Sequence, residues 1–204
     1  RHLRHPEEEP VELPEWKELR NVKPEHVLAK YQMVSAQRAV RESIPDWIDE
    51  RCAAELGDKW EPTLHQLNRP AEVVLRTNRL KTTRDALQKA LAEEGIETRA
   101  VGDTDALCLT IRKNVFITKA FRAGMFEVQD FSSQAVAPLL DPKPGMRVVD
   151  ACAGGGGKTL HLAALMQSKG QLIALDTLAW KLDELKLRAR RAGVSNIENR
   201  PIEN

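Results

Sequence analysis

The stretch Pro144-Gly-Met-Arg-Val-Val-Asp-Ala-Cys-Ala-Gly-Gly-Gly-Gly-Lys-Thr159 decides how the chain is read. Arg147, Val148, Val149 and Asp150 predict a short buried strand, and Gly154, Gly155, Gly156 and Gly157 follow it. Residues 158–166 have helical composition and spacing. Strand, glycine turn and helix in that order make a nucleotide-type binding loop. Glycine lets backbone approach a ligand closely, and a helix N-terminus offers unpaired N–H groups. Spacing narrows the ligand. A phosphate-binding loop needs G-x-x-x-x-G-K-[ST], and counting back from Gly157-Lys158-Thr159 puts Cys152 where the first glycine belongs. A dinucleotide loop G-x-G-x-x-G begun at Gly154 requires a further glycine where Thr159 stands. Both readings fail.

What fits is Asp150-x-x-x-Gly154-x-Gly156, an acid at a strand end followed by spaced glycines. That is the first motif of Rossmann-like S-adenosylmethionine (SAM) methyltransferases. The next predicted strand, Gln171-Leu-Ile-Ala-Leu-Asp176, ends in an acid about twenty residues past the loop, the ribose-binding position of this architecture.

Three segments, in order, carry a closer resemblance. Asp150-Ala-Cys-Ala-Gly-Gly-Gly-Gly-Lys-Thr159 resembles the D-x-C-A-A-P-G-G-K-T loop of the Sun family of RNA (cytosine-5) methyltransferases. Gln129-Asp-Phe-Ser-Ser-Gln134 resembles that family's Q-D-x-x-S-Q segment, and Arg76-Thr-Asn-Arg-Leu-Lys81 its R-x-N-x-L-K stretch. The departures are Gly154-Gly155 where Ala-Pro is common and Phe131-Ser132 where Glu-Gly is common. Glycine at 155 removes a rigid turn residue.

The resemblance implies SAM as cofactor and RNA as substrate, ribosomal RNA ahead of transfer RNA. It assigns Cys152, Ala153, Gly154, Gly155, Gly156, Gly157 and Lys158 to the methionine portion and ribose of SAM. Asp176 would accept from the ribose hydroxyls, Lys181 matches a basic position beyond it, and Asp150 would order the loop. The family's two catalytic cysteines sit in P-C and T-C motifs downstream of this region. Cys52, Cys108 and Cys152 follow Arg51, Leu107 and Ala151, so no catalytic residue is assigned here, and residues 1–204 alone are expected to be inactive. Two other readings stay open: a non-catalytic SAM- and RNA-binding assembly factor, and a Rossmann-type methyltransferase with a non-RNA acceptor.

Bulk properties bound the class. A net charge of +1 with 30% charged residues does not advertise nucleic-acid binding, so an RNA surface has to come from local asymmetry. No apolar run reaches membrane-spanning length. Three cysteines without metal-ligand spacing point to a reducing cytoplasm and no metal. The chain begins at Arg1 and ends at Asn204 just after a second β-α unit, the pattern expected of a fragment.

The expected fold class is α/β, a truncated Rossmann-like methyltransferase core preceded by a small α+β module and a helical region. Residues 1–23, with Pro6, Pro10 and Pro14, predict a flexible lead-in, and His2 and His5 are given no role. Residues 24–70 predict helices over 24–43, 45–56 and 60–67, with Trp47, Ile48, Cys52 and Leu56 on one packed face. Residues 71–125 predict a strand, a helix over 83–94 and further strands, an RNA-recognition-like unit. It has no aromatic stacking pattern, with Phe116 its candidate to offer a base, so Lys81, Arg112 and Lys113 are its candidate RNA contacts. Residues 126–204 predict the start of the SAM-binding domain, with a helix over 180–192 and a third strand beginning near Asn196.

Overall fold

The computed structural model describes Lys17 and residues 20–202, and most of the expected lead-in, with His2 and His5, lies outside them. The chain divides into two compact units, Arg1–Pro70 and Ala71–Asn204.

The first unit is helical. Pro24 opens α1 (Pro24–Val34), where its missing N–H costs nothing. The single helix expected over 24–43 is broken: Ser35 Oγ donates back to the Gln32 carbonyl, Gln37 is extended, and α2 (Arg38–Glu42) starts anew. Then come α3 (Asp46–Leu56) and α4 (Trp60–Leu67), separated by a turn that Gly57 allows at φ +52.

The face of α3 that packs is only in part the one expected. Trp47 is 65% exposed and Leu56 is exposed too, whereas Ile48, Asp49, Cys52 and Ala53 are half-buried. A polar cluster decides this. The buried Trp60 donates its indole N–H to Asp49 Oδ1 at 2.7 Å, and Arg38 forks onto the same carboxylate at 2.7 and 3.1 Å. Those bonds turn Asp49 inward, and Trp47 is carried to the other side of the helix.

Arg38, and after it the Trp60 N–H, hold the Asp49 carboxyl below its ordinary range. A carboxyl depressed by folding contributes stability above its unfolded value, about 3.9, and loses it as pH falls through the lower folded value. Acid unfolding followed by tryptophan fluorescence should therefore steepen below about pH 4, and Asp49→Asn should flatten that limb.

The second unit opens with β1 (Val74–Thr77), α5 (Arg84–Glu93), β2 (Thr98–Ala100), β3 (Ala106–Leu109), α6 (Lys119–Arg122) and β4 (Phe126–Val128). Thr83 caps α5 by accepting the Ala86 N–H. The strands form an antiparallel sheet in the order β2-β3-β1-β4, the ferredoxin-like βαββαβ arrangement. Leu75, Leu87, Leu91, Leu107 and Phe126 fill its core.

Phe126–Val128, assigned from sequence to the following domain, belongs to this sheet: Leu75 pairs with Val128 and Thr77 with Phe126. Three residues are too few to show a strand period, and only the pairing reveals it. Phe116 lies in a turn rather than on the sheet, edge-on to Phe121.

The rest alternates helix and parallel strand. Asp130 caps α7 (Phe131–Leu140) by accepting the Ser132 and Ser133 N–H groups. Next are β5 (Arg147–Asp150), α8 (Gly157–Leu165), β6 (Gln171–Asp176), α9 (Ala179–Ala192) and β7 (Ile197–Pro201). The order β5-β6-β7 matches one half of a doubly wound sheet. Leu160, Ala174, Leu182 and Leu185 pack α8 and α9 on it. The expectation that β5 is buried fails: Val149 is 54% exposed, because among the described residues β5 pairs only with β6. Among the described residues no helix is long and apolar enough to cross a membrane.

Candidate cofactor site

The site lies where β5 and β6 end side by side. Parallel pairing in register, Val149 beside Ile173 and Asp150 beside Ala174, brings the carboxyl ends of both strands to one edge. Ligands of doubly wound sheets bind outside such ends.

Asp150 orders the loop that leaves β5. Its carboxylate accepts the Thr159 hydroxyl at 2.7 Å and the Cys152 N–H at 3.3 Å, tying the start of the loop to the first turn of α8. The Gly156 N–H donates to the Ala153 carbonyl at 2.9 Å and closes a turn over Gly154 and Gly155. Gly154 takes φ +52 and Gly156 φ +87, conformations that favour glycine. Gly156 also lies against α9, where an added Cβ would stand 2.1 Å from Leu185 Cδ1. Ala153 is buried, Cys152 and Lys158 are exposed, and Gly157 is the first residue of α8.

Asp176 closes the other wall. Its carboxylate accepts the Gly154 N–H at 2.8 Å and the Leu178 N–H at 2.9 Å. The Leu178 bond first, then the Gly154 bond, with Lys181 adding attraction, hold its pKa below the ordinary value. Asp176 is therefore ionised at neutral pH. A carboxylate has about four acceptor positions; backbone occupies one on each oxygen, which leaves capacity for the two hydroxyls of a ribose. Lys181 sits in the first turn of α9 with its ammonium 5.6 Å from the Trp180 ring centre.

Residues 152–158, Asp176 and Lys181 thus gather at one sheet end. The other candidates do not join them. Lys81 lays its side chain against Gly193, beyond the C-terminus of α9. Lys113 donates to the Gly95 carbonyl at 2.7 Å, and Arg112 is exposed on the same loop. Among the described residues no cluster of three or more His, Cys, Asp or Glu could hold a metal.

Three side chains at the loop were not singled out as site residues from sequence. Arg76 of β1, 2% exposed, donates to Gln129 Oε1 and to the Gly157 carbonyl, both at 2.8 Å. Burial pulls its pKa down to about 10, with the neighbouring Glu127 opposing, so the guanidinium stays charged. Arg188 of α9 donates to the Gly155 carbonyl and pairs at 2.9 Å with the buried Glu127 of β4. His161 of α8 is kept neutral by burial and by the charge of Arg76, its pKa pushed down to about 3. The R-x-N-x-L-K segment flagged Arg76, but nothing local in the sequence shows what it touches.

A glycine loop after the first strand of a parallel sheet, with an acid ending the next strand, defines a Rossmann-like methyltransferase domain. Two family models agree in order along the chain: the ferredoxin-like domain of the RsmF/B-like methyltransferases over residues 44–116, and the 16S rRNA methyltransferase RsmB/F over residues 137–200. Over these two stretches the chain matches models of RsmB/F-type methyltransferases, in keeping with its resemblance to the Sun family. It is 35% identical to a probable ribosomal RNA small subunit methyltransferase B of Synechocystis over 159 residues, 76% of this chain and 36% of that protein. Identity to the mouse tRNA (cytosine(72)-C(5))-methyltransferase NSUN6 is 49%, over 34% of this chain and 15% of the relative. A crystal structure of a methyltransferase homologue from Pyrococcus horikoshii superposes with a TM-score of 0.72 at 30% identity, covering 79% of this chain and 54% of that one. The chain spans about a third of the length of the first of these relatives, the Synechocystis protein (36%).

Proposed function

We propose that this chain provides the cofactor-binding part of a SAM-dependent RNA (cytosine-5) methyltransferase. The observation that carries the reading is the Asp150-ordered glycine loop bonded across to Asp176, whose carboxylate keeps free acceptor capacity. Residues 152–158 would enclose the methionine portion and ribose, Asp176 would take the ribose hydroxyls, and Lys181 stands one turn further on. When bound, SAM supplies an electrophilic methyl group on a sulfonium. The chain's own part is to bind and orient it: the acceptor-only carboxylate of Asp176 recognises hydroxyl donors, and Asp150 holds the loop that surrounds them.

The substrate we propose is ribosomal RNA in preference to transfer RNA, in line with the names of the longer-matching relatives. Arg112 and Lys113, exposed on one loop, and Lys81 are its proposed phosphate contacts on this chain. The nucleophilic cysteines are expected in downstream sequence, and the setting is cytoplasmic.

The test is methyl transfer from labelled SAM by the natural polypeptide to ribosomal and transfer RNA, with 5-methylcytosine read by nucleoside mass spectrometry. Modified cytosine in the ribosomal arm is the expected result, and residues 1–204 alone should give none. Label transferred only to protein or small molecules would overturn the reading.

A further inference from the structure

Arg76 and Glu127 are cross-strand partners on β1 and β4. They share the sheet face opposite Leu75 and Phe126, which lie in the module's core. Both are nearly inaccessible, at 2% and 3% exposure, and both engage the α/β part of the same unit. Arg76 reaches the Gly157 carbonyl directly. Glu127 reaches the loop through an intermediary: it takes Arg188 on one carboxylate oxygen and Arg191 on the other, and Arg188 donates to the Gly155 carbonyl. Arg191 is also braced, its guanidinium 3.9 Å from the Phe121 ring centre. Two alternate carbonyls of the glycine loop are therefore held by arginines whose placement depends on the ferredoxin-like sheet.

A trans peptide points its N–H away from its C=O. Fixing the carbonyls of Gly155 and Gly157 thus fixes the directions of the Gly156 and Lys158 N–H groups in the loop. The packing there is close: an added Cβ on Gly155 would stand 3.1 Å from Arg188 Nη1 and 3.3 Å from the Glu184 carboxylate. A loop of four glycines has large conformational freedom to lose, and the arginines restrain it from outside.

We propose that Arg76, Glu127 and Arg188 are positioning residues for the cofactor loop, so that the ferredoxin-like module sets the affinity of the α/β domain for SAM. The inference rests on the cofactor reading above. A second contact separates loop positioning from simple docking. Asn78 joins the same two parts by donating to the Gly124 and Ala192 carbonyls, both at 2.8 Å, and its side-chain hydrogen bonds go to neither Gly155 nor Gly157.

The experiment is calorimetric titration of SAM into the natural polypeptide, wild type and with Arg188→Ala, Arg188→Lys, Asn78→Ala or Asp176→Ala, with each melting temperature measured alongside. Arg188→Ala should weaken SAM binding about tenfold, Arg188→Lys should recover part of it, and Asn78→Ala should lower the melting temperature while keeping the affinity within about twofold. Arg188→Ala with wild-type affinity, beside an Asp176→Ala that has lost it, overturns the positioning role and leaves the cofactor site standing. An affinity loss in Asn78→Ala as large as in Arg188→Ala also overturns it, since docking alone would then account for both. Failure of the wild type to bind SAM overturns the cofactor reading and this inference together.

Discussion

Gly124→Ala should loosen the joint between the ferredoxin-like module and the α/β domain more than any other single methyl group. Gly124 sits at φ +72 between α6 and β4, and an added Cβ would stand 1.9 Å from the Arg191 carbonyl oxygen and 2.7 Å from its carbon. The opposing atoms are helix backbone, so no rotamer change relieves the overlap, and α9 has to move. That movement has its own cost. The Asn78 amide bridges Gly124 to Ala192, and the Arg191–Glu127 pair lies one residue away, so separating the backbones strains both. A left-handed non-glycine costs about 1–2 kcal/mol and overpacking about 1–3 more, a loss near 3 kcal/mol and roughly 6–12 °C in melting temperature. Gly102→Ala is the control. Gly102 is also left-handed, at φ +54, but nothing lies within 4 Å of an added Cβ, so its loss should be the conformational part alone.

Gly156→Ala should act on stability and cofactor binding together. The φ of +87 charges the same conformational cost, and the new methyl meets Leu185, a fully buried side chain of α9, at 2.1 Å. Leu185 is held by neighbours in the α8–α9 core, so the first turn of α8 yields, and with it the loop that precedes it. A stability loss of about 2–4 kcal/mol is expected, with SAM affinity falling as the loop shifts. The cause is separable by a double-mutant cycle. In a Leu185→Ala background the steric part of the Gly156→Ala cost should vanish and the conformational part remain; equal losses in both backgrounds would show that Leu185 is not the obstacle.

Much of the α/β domain was legible in the sequence because its signals are local. The bounds of β5 and β6 follow from apolar runs closed by Asp150 and Asp176, and the glycines mark the turn between strand and helix. Gly193, left-handed after α9, ends that helix at the predicted residue 192. Exposure was less legible. β5 is apolar at Val148 and Val149, but burial depends on what lies beside a strand, and its own residues do not encode that. In the helical unit, Trp47 and Trp60 are equally apolar, and the choice between them is made by Asp49 accepting from Trp60 and Arg38.

The loop's arginines were hidden for a related reason. Arg188 is one of several charged residues along α9, and Glu127 a single acid at the start of residues 126–204. Their pairing spans 61 residues of chain, and Arg76 meets Gly157 across 81. No pattern of period two or 3.6 reports a contact of that range. The R-x-N-x-L-K stretch was recognised as a segment, and the structure gives its parts separate tasks: Arg76 holds the loop, Asn78 joins the two parts, and Lys81 covers Gly193.

The central claim is that Asp176 and the glycine loop form a SAM site, and the most direct measurement is calorimetric titration of SAM into the natural polypeptide beside its Asp176→Ala form. The account predicts saturable binding to the first and a loss of about 1.4 kcal/mol or more, tenfold in affinity, in the second. Equal affinity in both would contradict the part given to Asp176, and no binding to either would contradict the site itself and leave the four glycines a structural turn.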